Sequence, residues 1–367
     1  MNDRRPSVET AQLISSVVRP EVQALSAYAV ARAEGMIKLD AMENPFTLPE
    51  AIRTKIAAIV KDVPINRYPD GAADEAKHAL RAHLKIPETL GLLLGNGSDE
   101  LIQLIASTLA RPGATMLVPD PSFVMYRTSA LNAGLAFAGV MLKSDFSLDV
   151  QGMLDAVERE RPALIFIAYP NNPTGNLFAT ADVETILRVA PGLVVVDEAY
   201  YAFADASFLS RVGEFPNLLV LRTLSKVGMA GIRLGYAVSA PEWIAELNKL
   251  RAPYNVNAWT QAAIGALLAD AGWIDEQAVA IRAQRGRLEA AMARWAGVGV
   301  YGTQTNFVLA RFADATRIFE GLKAKRILVK NLDGWHPLLR GCLRITVGTP
   351  EENDALLAAL AELNPDS

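Results

Sequence analysis

The middle of the chain alternates short apolar runs with stretches of helical periodicity. The β-rich runs are 163–168 (ALIFIA), 193–196 (LVVV), 218–221 (LLVL) and 235–238 (GYAV), each bounded by turn or polar residues. Their nearly continuous hydrophobicity suits strands buried on both faces. The alternation predicts an α/β architecture with a mainly parallel central sheet covered by helices. Upstream, 92–94 leads through Gly95-Asn96-Gly97-Ser98 into a helix predicted from Asp99 to about Ala110. Leu101, Ile102, Leu104, Ile105 and Leu109 form its apolar side, and Pro112-Gly113 ends it.

Beyond about residue 240 the pattern changes. Ala/Leu/Glu/Arg-rich helical stretches cover 241–251 and 259–295, β signals follow at 306–310 and 343–347, and a last helix is predicted over about 350–363. We read residues 1–60 as an N-terminal arm and part of a small domain, 61–250 as a large α/β domain, and 251–367 as a smaller α+β domain. The arm is expected to fold onto the small domain. Gly297-Val298-Gly299-Val300-Tyr301-Gly302 matches G-x-G-x-x-G, but it follows a helix and leads towards a strand. A dinucleotide fingerprint needs the reverse order, so this is read as a helix-to-strand connection.

Composition mainly excludes. The 367 residues are 51% hydrophobic and 21% charged, which rules out wholesale disorder, and the length allows about two domains. Lys and Arg number 36 against 40 Asp and Glu, a net charge of −4 that gives no basic excess for nucleic acid. Cys342 is the single cysteine, and His78, His83 and His336 have no ligand spacing, so neither a disulfide nor a metal site is expected. The first twenty residues do not read as a secretory signal, and no run of about 18 apolar residues occurs. A soluble, cytoplasmic protein is expected.

Four places combine polar chemistry with strand ends. Gly97, Ser98 and Asp99 open a helix, where free N–H groups hold a phosphate or where Ser98 simply caps the helix. Asn171-Asn172-Pro173-Thr174-Gly175 follows the run 163–168, and Asp197-Glu198-Ala199-Tyr200 follows 193–196. In open α/β sheets, ligands bind at such carboxyl ends. The run 218–221 delivers Arg222-Thr223-Leu224-Ser225-Lys226, and then Arg233. A lysine partly desolvated at a strand end has a lowered pKa and becomes a nucleophilic amine.

In that order, the motifs resemble the fold type I, pyridoxal-phosphate-dependent aminotransferases over nearly the whole chain. The resemblance implies that Lys226 holds the cofactor covalently and later shuttles the substrate's proton. Asp197 would pair with the cofactor's pyridine nitrogen, and Asn172 and Tyr200 with its phenolic oxygen. Its phosphate would sit on Gly97, Ser98, Asp99, Thr223, Ser225 and Arg233. Tyr126 would stack on its ring. Tyr68, in NRYPD, would reach the phosphate of the neighbouring subunit, which makes the active unit a homodimer with shared sites.

Within that family, LDAMENPF (39–46), NRYPD (66–70), RTLSK (222–226) and GCLRITVGT (341–349) resemble the histidinol-phosphate aminotransferases. The implied reaction converts L-histidinol phosphate and 2-oxoglutarate to imidazole acetol phosphate and glutamate, in histidine biosynthesis. Arg344 would grip the substrate's carboxylate, with Tyr28, Asn44 and Lys330 as further substrate contacts. Two positions depart from the usual pattern: Met42 stands where Asn is usual, and Lys330 where an arginine often meets the substrate phosphate. An aromatic or broad-specificity aminotransferase, and a decarboxylase of the same fold, are the alternative activities. A regulatory module would need a DNA-reading segment for which the resemblance leaves no room.

Overall fold

The computed structural model describes residues 8–27 and 31–364. The chain up to Glu34 is a unit of its own, carrying helices α1 (Val8–Val17) and α2 (Pro20–Gln23). The rest, from Gly35, forms a second unit. It opens with β1 (Ile37–Lys38), α3 (Glu50–Val60) and α4 (Asp74–Leu84). Next come β2 (Gly91–Asn96), α5 (Ser98–Leu109), β3 (Thr115–Asp120), α6 (Val124–Ala133), β4 (Ala136–Met141) and α7 (Val150–Glu160). The chain continues through β5 (Leu164–Ala168), α8 (Thr180–Val189), β6 (Leu193–Asp197), β7 (Leu218–Thr223) and β8 (Leu234–Ser239).

These seven strands from β2 to β8 form one sheet in the order β2-β8-β7-β6-β5-β3-β4. Only the pairs made by β8 are antiparallel. The sheet is thus mainly parallel, as predicted. Its two faces bury different side chains by simple alternation: Val194, Val196, Val220 and Val238 join one apolar cluster, and Leu193, Val195, Leu219 and Leu221 the other. Each fully buried aliphatic side chain contributes about 1.5–3 kcal/mol, so the strand ends are held on a stiff platform.

The chain then runs through α9 (Pro241–Asn248), α10 (Ala258–Ala269), α11 (Gly272–Met292), β9 (Gly299–Tyr301), β10 (Phe307–Arg311) and α12 (Ala315–Ala324). It ends with β11 (Ile327–Leu328), β12 (Lys330–Asn331), β13 (Cys342–Thr346) and α13 (Pro350–Leu363). Strands β12-β13-β10-β9 make a second, antiparallel sheet, and β1 pairs in parallel with β11. Ile281 and Leu288 of α11 and Leu356 and Leu360 of α13 pack with Phe307, Val308 and Ile345 of this sheet. A capping box starts α13: the Thr349 hydroxyl accepts from the Glu352 N–H, and the Glu352 carboxylate accepts from the Thr349 N–H.

The structure differs from the sequence reading in a few elements. Strands β3 and β4 were not among those predicted. Pro119 interrupts the pattern of β3, and β4 is an edge strand of small, partly exposed residues. The helical stretch 259–295 is two helices, α10 and α11, separated at Asp270-Ala271. The glycine-rich segment at 297–302 follows α11 and itself contains strand β9, so the helix-then-strand order stands although the segment is not merely a connection. Among the described residues no helix is long and apolar enough to cross a membrane.

Candidate active site

A pocket opens where β5, β6 and β7 end and α5 begins; Ser98, Asp99, Asn172, Asp197, Tyr200, Thr223, Ser225, Lys226 and Arg233 all line it. The turn into α5 determines one wall. The N-cap position falls on Gly97, so Ser98 is the first helical residue and not its cap. Gly97 has φ +84° and ψ 168°, a region essentially reserved for glycine. A Cβ there would lie 2.5 Å from Arg233 Nη2, and one on Gly235 would lie 2.6 Å from the Ser98 nitrogen. The two glycines let β8 and the guanidinium close on the helix start, whose N–H groups have no side-chain cap. Arg233 Nη1 donates to Ser225 Oγ at 3.4 Å, and Thr223 Oγ1 lies 2.9 Å from the same hydroxyl. Uncapped N–H groups, hydroxyls and a guanidinium make an anion cradle.

Asp197 ends β6 and is buried. Its Oδ2 accepts from the Tyr126 hydroxyl at 2.7 Å and its Oδ1 from the Ala199 N–H at 3.1 Å. Among the described residues no cation pairs with it, and burial pushes its carboxyl up to about 6 despite the two hydrogen bonds. A buried carboxylate of this kind calls for a cationic partner from a ligand.

Lys226 follows β7 in a single 3₁₀ turn, and its Nζ donates to the Ala41 carbonyl at 3.2 Å. Burial, with the Arg344 and Arg233 charges nearby, lowers its amine to about 8. Tyr200 packs edge-on against Phe307 and is buried, which raises its phenol above the ordinary range and keeps it protonated. Arg344, on β13, donates from Nη1 to Asn172 Oδ1 at 2.7 Å and from Nη2 to the Asp40 carbonyl at 3.1 Å. The second sheet thereby meets the large sheet at the pocket. Lys330 is the direct cross-strand partner of Arg344, on the same face.

Several expected site residues are placed differently. Tyr126 lines the pocket but has no exposed surface, and one face of its ring stacks on Phe166 with centroids 4.6 Å apart. Its hydroxyl serves Asp197 instead. Phe123, partly exposed, meets the Tyr126 edge at 5.6 Å and lines the pocket. The Asn44 side chain donates to Gln277 Oε1 at 2.9 Å and accepts from the Phe46 N–H, so it holds a loop and does not line the pocket. Met42 lines it instead, in left-handed backbone with φ +53°, a conformation in which asparagine is favoured. Tyr68 is exposed and stacks on Tyr254 at 4.6 Å. Tyr28 lies outside the described residues.

The sequence reading also missed a buried ion pair next in sequence to Asp197, on the opposite face of the sheet from the pocket. Arg222 donates from Nε and Nη2 to Glu198 Oε2 at 2.9 and 2.8 Å. The only signal available was a charged residue at an inward position of the apolar strand β7.

The site and fold together define a class. The chain belongs to the aminotransferase class I and II family, whose model matches residues 34–360. It is 53% identical over 347 residues to a histidinol-phosphate aminotransferase of Chromobacterium violaceum, covering 95% of this chain and 98% of that one. It is 49% identical over 360 residues to histidinol-phosphate aminotransferase 2 of Cupriavidus pinatubonensis, covering 97% and 98%. The crystal structure of the Sinorhizobium meliloti histidinol-phosphate aminotransferase, in complex with pyridoxal phosphate, matches with a TM-score of 0.85 at 27% identity, over 95% of this chain and 98% of that one. The donor set fits that cofactor: an anion cradle, a desolvated amine and a buried carboxylate lacking a cation surround one pocket.

Proposed function

We propose that this enzyme, a pyridoxal-phosphate-dependent aminotransferase, moves the amino group of L-histidinol phosphate to 2-oxoglutarate, giving imidazole acetol phosphate and glutamate in histidine biosynthesis. The identity to the curated relatives supports the reaction. The observation that carries the substrate is the cross-strand placement of Lys330 beside Arg344. Histidinol phosphate has no carboxylate; its anionic group is a phosphate dianion, which two adjacent cations match better than one. The guanidinium fork of Arg344 by itself suits the α-carboxylate of glutamate.

Pyridoxal phosphate, when bound, supplies an electron-withdrawing heterocycle that accepts the electron pair left at the substrate Cα. Lys226 would hold it through Nζ and would carry the proton from the substrate Cα. With its amine lowered to about 8, Lys226 is neutral often enough to take that proton near neutral pH. Asp197 would pair with its ring nitrogen and keep that nitrogen protonated, and Tyr126 and the Ala199 N–H keep the carboxylate aimed. Tyr200 donates from its protonated phenol, and Asn172 orients Arg344. The start of α5 with Thr223, Ser225 and Arg233 would bind the phosphate, and Phe123, partly exposed in the pocket lining, would supply the stacking ring in place of Tyr126.

The reading includes a homodimer in the cytoplasm. Tyr68, exposed and held in place by Tyr254, is offered to a second copy's phosphate site. The test is to mix holoenzyme in turn with L-histidinol phosphate, histidinol, phenylalanine and aspartate, and to follow the visible band in single turnovers. Fast loss of the band is expected with histidinol phosphate. Turnover of phenylalanine with none of histidinol phosphate overturns the substrate and leaves the reaction class standing.

A further inference from the structure

The Glu198–Arg222 pair lies on the far side of the sheet from the pocket. Side chains alternate along β7, so Thr223 faces the pocket while Arg222 points to the other face, with Val220. Glu198 directly follows Asp197, and its N–H donates to the Leu221 carbonyl at 2.7 Å, which joins the ends of β6 and β7. Both oxygens of this carboxylate are engaged. Oε2 takes Arg222 and the Ser207 hydroxyl at 2.9 Å, and Oε1 takes the Phe208 N–H. Arg222 also reaches Ser207 Oγ at 2.9 Å and lies 4.1 Å over the Tyr201 ring.

A buried ion pair is poor evidence for stability, since an apolar pair of the same shape often does as well. Its position next to Asp197 gives it a different use. Two successive carboxylates, both buried, repel each other's charge, and among the described residues only one of them has a cation. We propose that Glu198 and Arg222 are a positioning pair for Asp197: they clamp the ends of β6 and β7, and the guanidinium cancels the neighbouring carboxylate so that Asp197 remains an anion facing the pocket. The proposal rests on reading Asp197 as the partner of the cofactor's ring nitrogen. The other groups facing Asp197 are Asp99 from α5, Tyr126 from α6 and Tyr200; Tyr201 and Tyr236 face the ion pair.

The test uses full-length protein stripped of cofactor. The infrared band of protonated Asp197, assigned by its absence in Asp197→Asn, is titrated against pH. Arg222→Gln exposes Asp197 to an uncompensated anion and is expected to raise the midpoint by about one unit. Glu198→Gln leaves an uncompensated cation and is expected to lower it. The double variant is expected to return it towards the parent value. Retention of cofactor by the corresponding holoenzymes follows, falling about tenfold in Arg222→Gln and recovering in the double variant. A merely structural pair would reduce thermal stability in all three without these opposite signs. Single variants that move the midpoint in the same direction, or a double variant no nearer the parent than Arg222→Gln, overturn the proposal. If Arg222→Gln does not fold, Glu198→Gln decides: an unmoved or raised midpoint overturns it. Unchanged cofactor retention in Asp197→Asn would instead remove the reading of Asp197, with the titration results still standing.

Discussion

Lys330 and Arg344 face each other across the antiparallel ladder of β12 and β13, so two cations leave the same face of the small sheet beside the pocket. Strand pairing joins them, not closeness in sequence. Burial and the Arg344 charge hold the Lys330 amine below its usual value, opposed by Asp40, and its Nζ stands 4.7 Å over the Trp335 ring.

This arrangement predicts a split between substrates. Lys330→Ala should raise KM for L-histidinol phosphate by about tenfold, the equivalent of about 1.4 kcal/mol, and leave that for unphosphorylated histidinol nearly unchanged. Lys330→Arg should restore the phosphorylated substrate. Equal effects on both substrates would contradict the assignment; steady-state kinetics decide.

Lys226 should be reactive at a pH where ordinary lysines are not. Its neutral form grows as pH rises through about 8, so capture of pyridoxal by borohydride in cofactor-free protein should have its midpoint there. Lys226→Ala should abolish capture and lower turnover by about 10³-fold or more. The linkage has a definite sign. Between about 8 and the ordinary 10.5 the unfolded chain holds more protons, so this group's contribution to stability rises with pH across that window. Cofactor-free Lys226→Leu should therefore gain stability over the parent at pH 7 in urea unfolding, and lose the gain towards pH 10.5.

Asp197 predicts the opposite slope. Its native pKa of about 6 exceeds the ordinary 3.8, so its contribution to the stability of cofactor-free protein is fully present below 3.8 and is lost as pH rises through 6. Cofactor binding needs the anion. The dissociation constant, measured by fluorescence titration, should therefore increase as pH falls below about 6, and the Asp197→Asn protein should lack that dependence.

Gly97→Ala should strike the cofactor more than the fold. The added methyl meets Arg233 and forces an alanine into a backbone region reserved for glycine, at about 1–3 kcal/mol. We expect at least a tenfold loss of cofactor affinity by equilibrium dialysis, with the far-ultraviolet circular dichroism unchanged.

Much of the central sheet was legible because its strands are buried on both faces and so carry unbroken apolar runs. Strands β5 to β8 lie within a residue or two of their predicted positions. β3 and β4 were not, since a proline and an exposed edge remove that signal. Asp197 could be singled out because it directly follows such a run, and Lys226 because it comes five residues after another. The motif around Tyr126 shows an aromatic residue near the pocket without showing that Phe166, forty residues on, covers one of its faces or that its hydroxyl turns to Asp197.

The chain by itself determined the fold class and the residues at the strand ends, because each follows from local pattern: an apolar run, a glycine turn, a polar residue after it; the cofactor came with the resemblance that the ordered motifs bear to the aminotransferases. Tertiary structure alone decided which side chains touch. It turned Tyr126 towards Asp197, set Lys330 opposite Arg344, tied Asn44 to Gln277 and closed Glu198 on Arg222. Those contacts join residues far apart in the chain, and their geometry is set by sheet register and packing, which no local stretch of sequence contains.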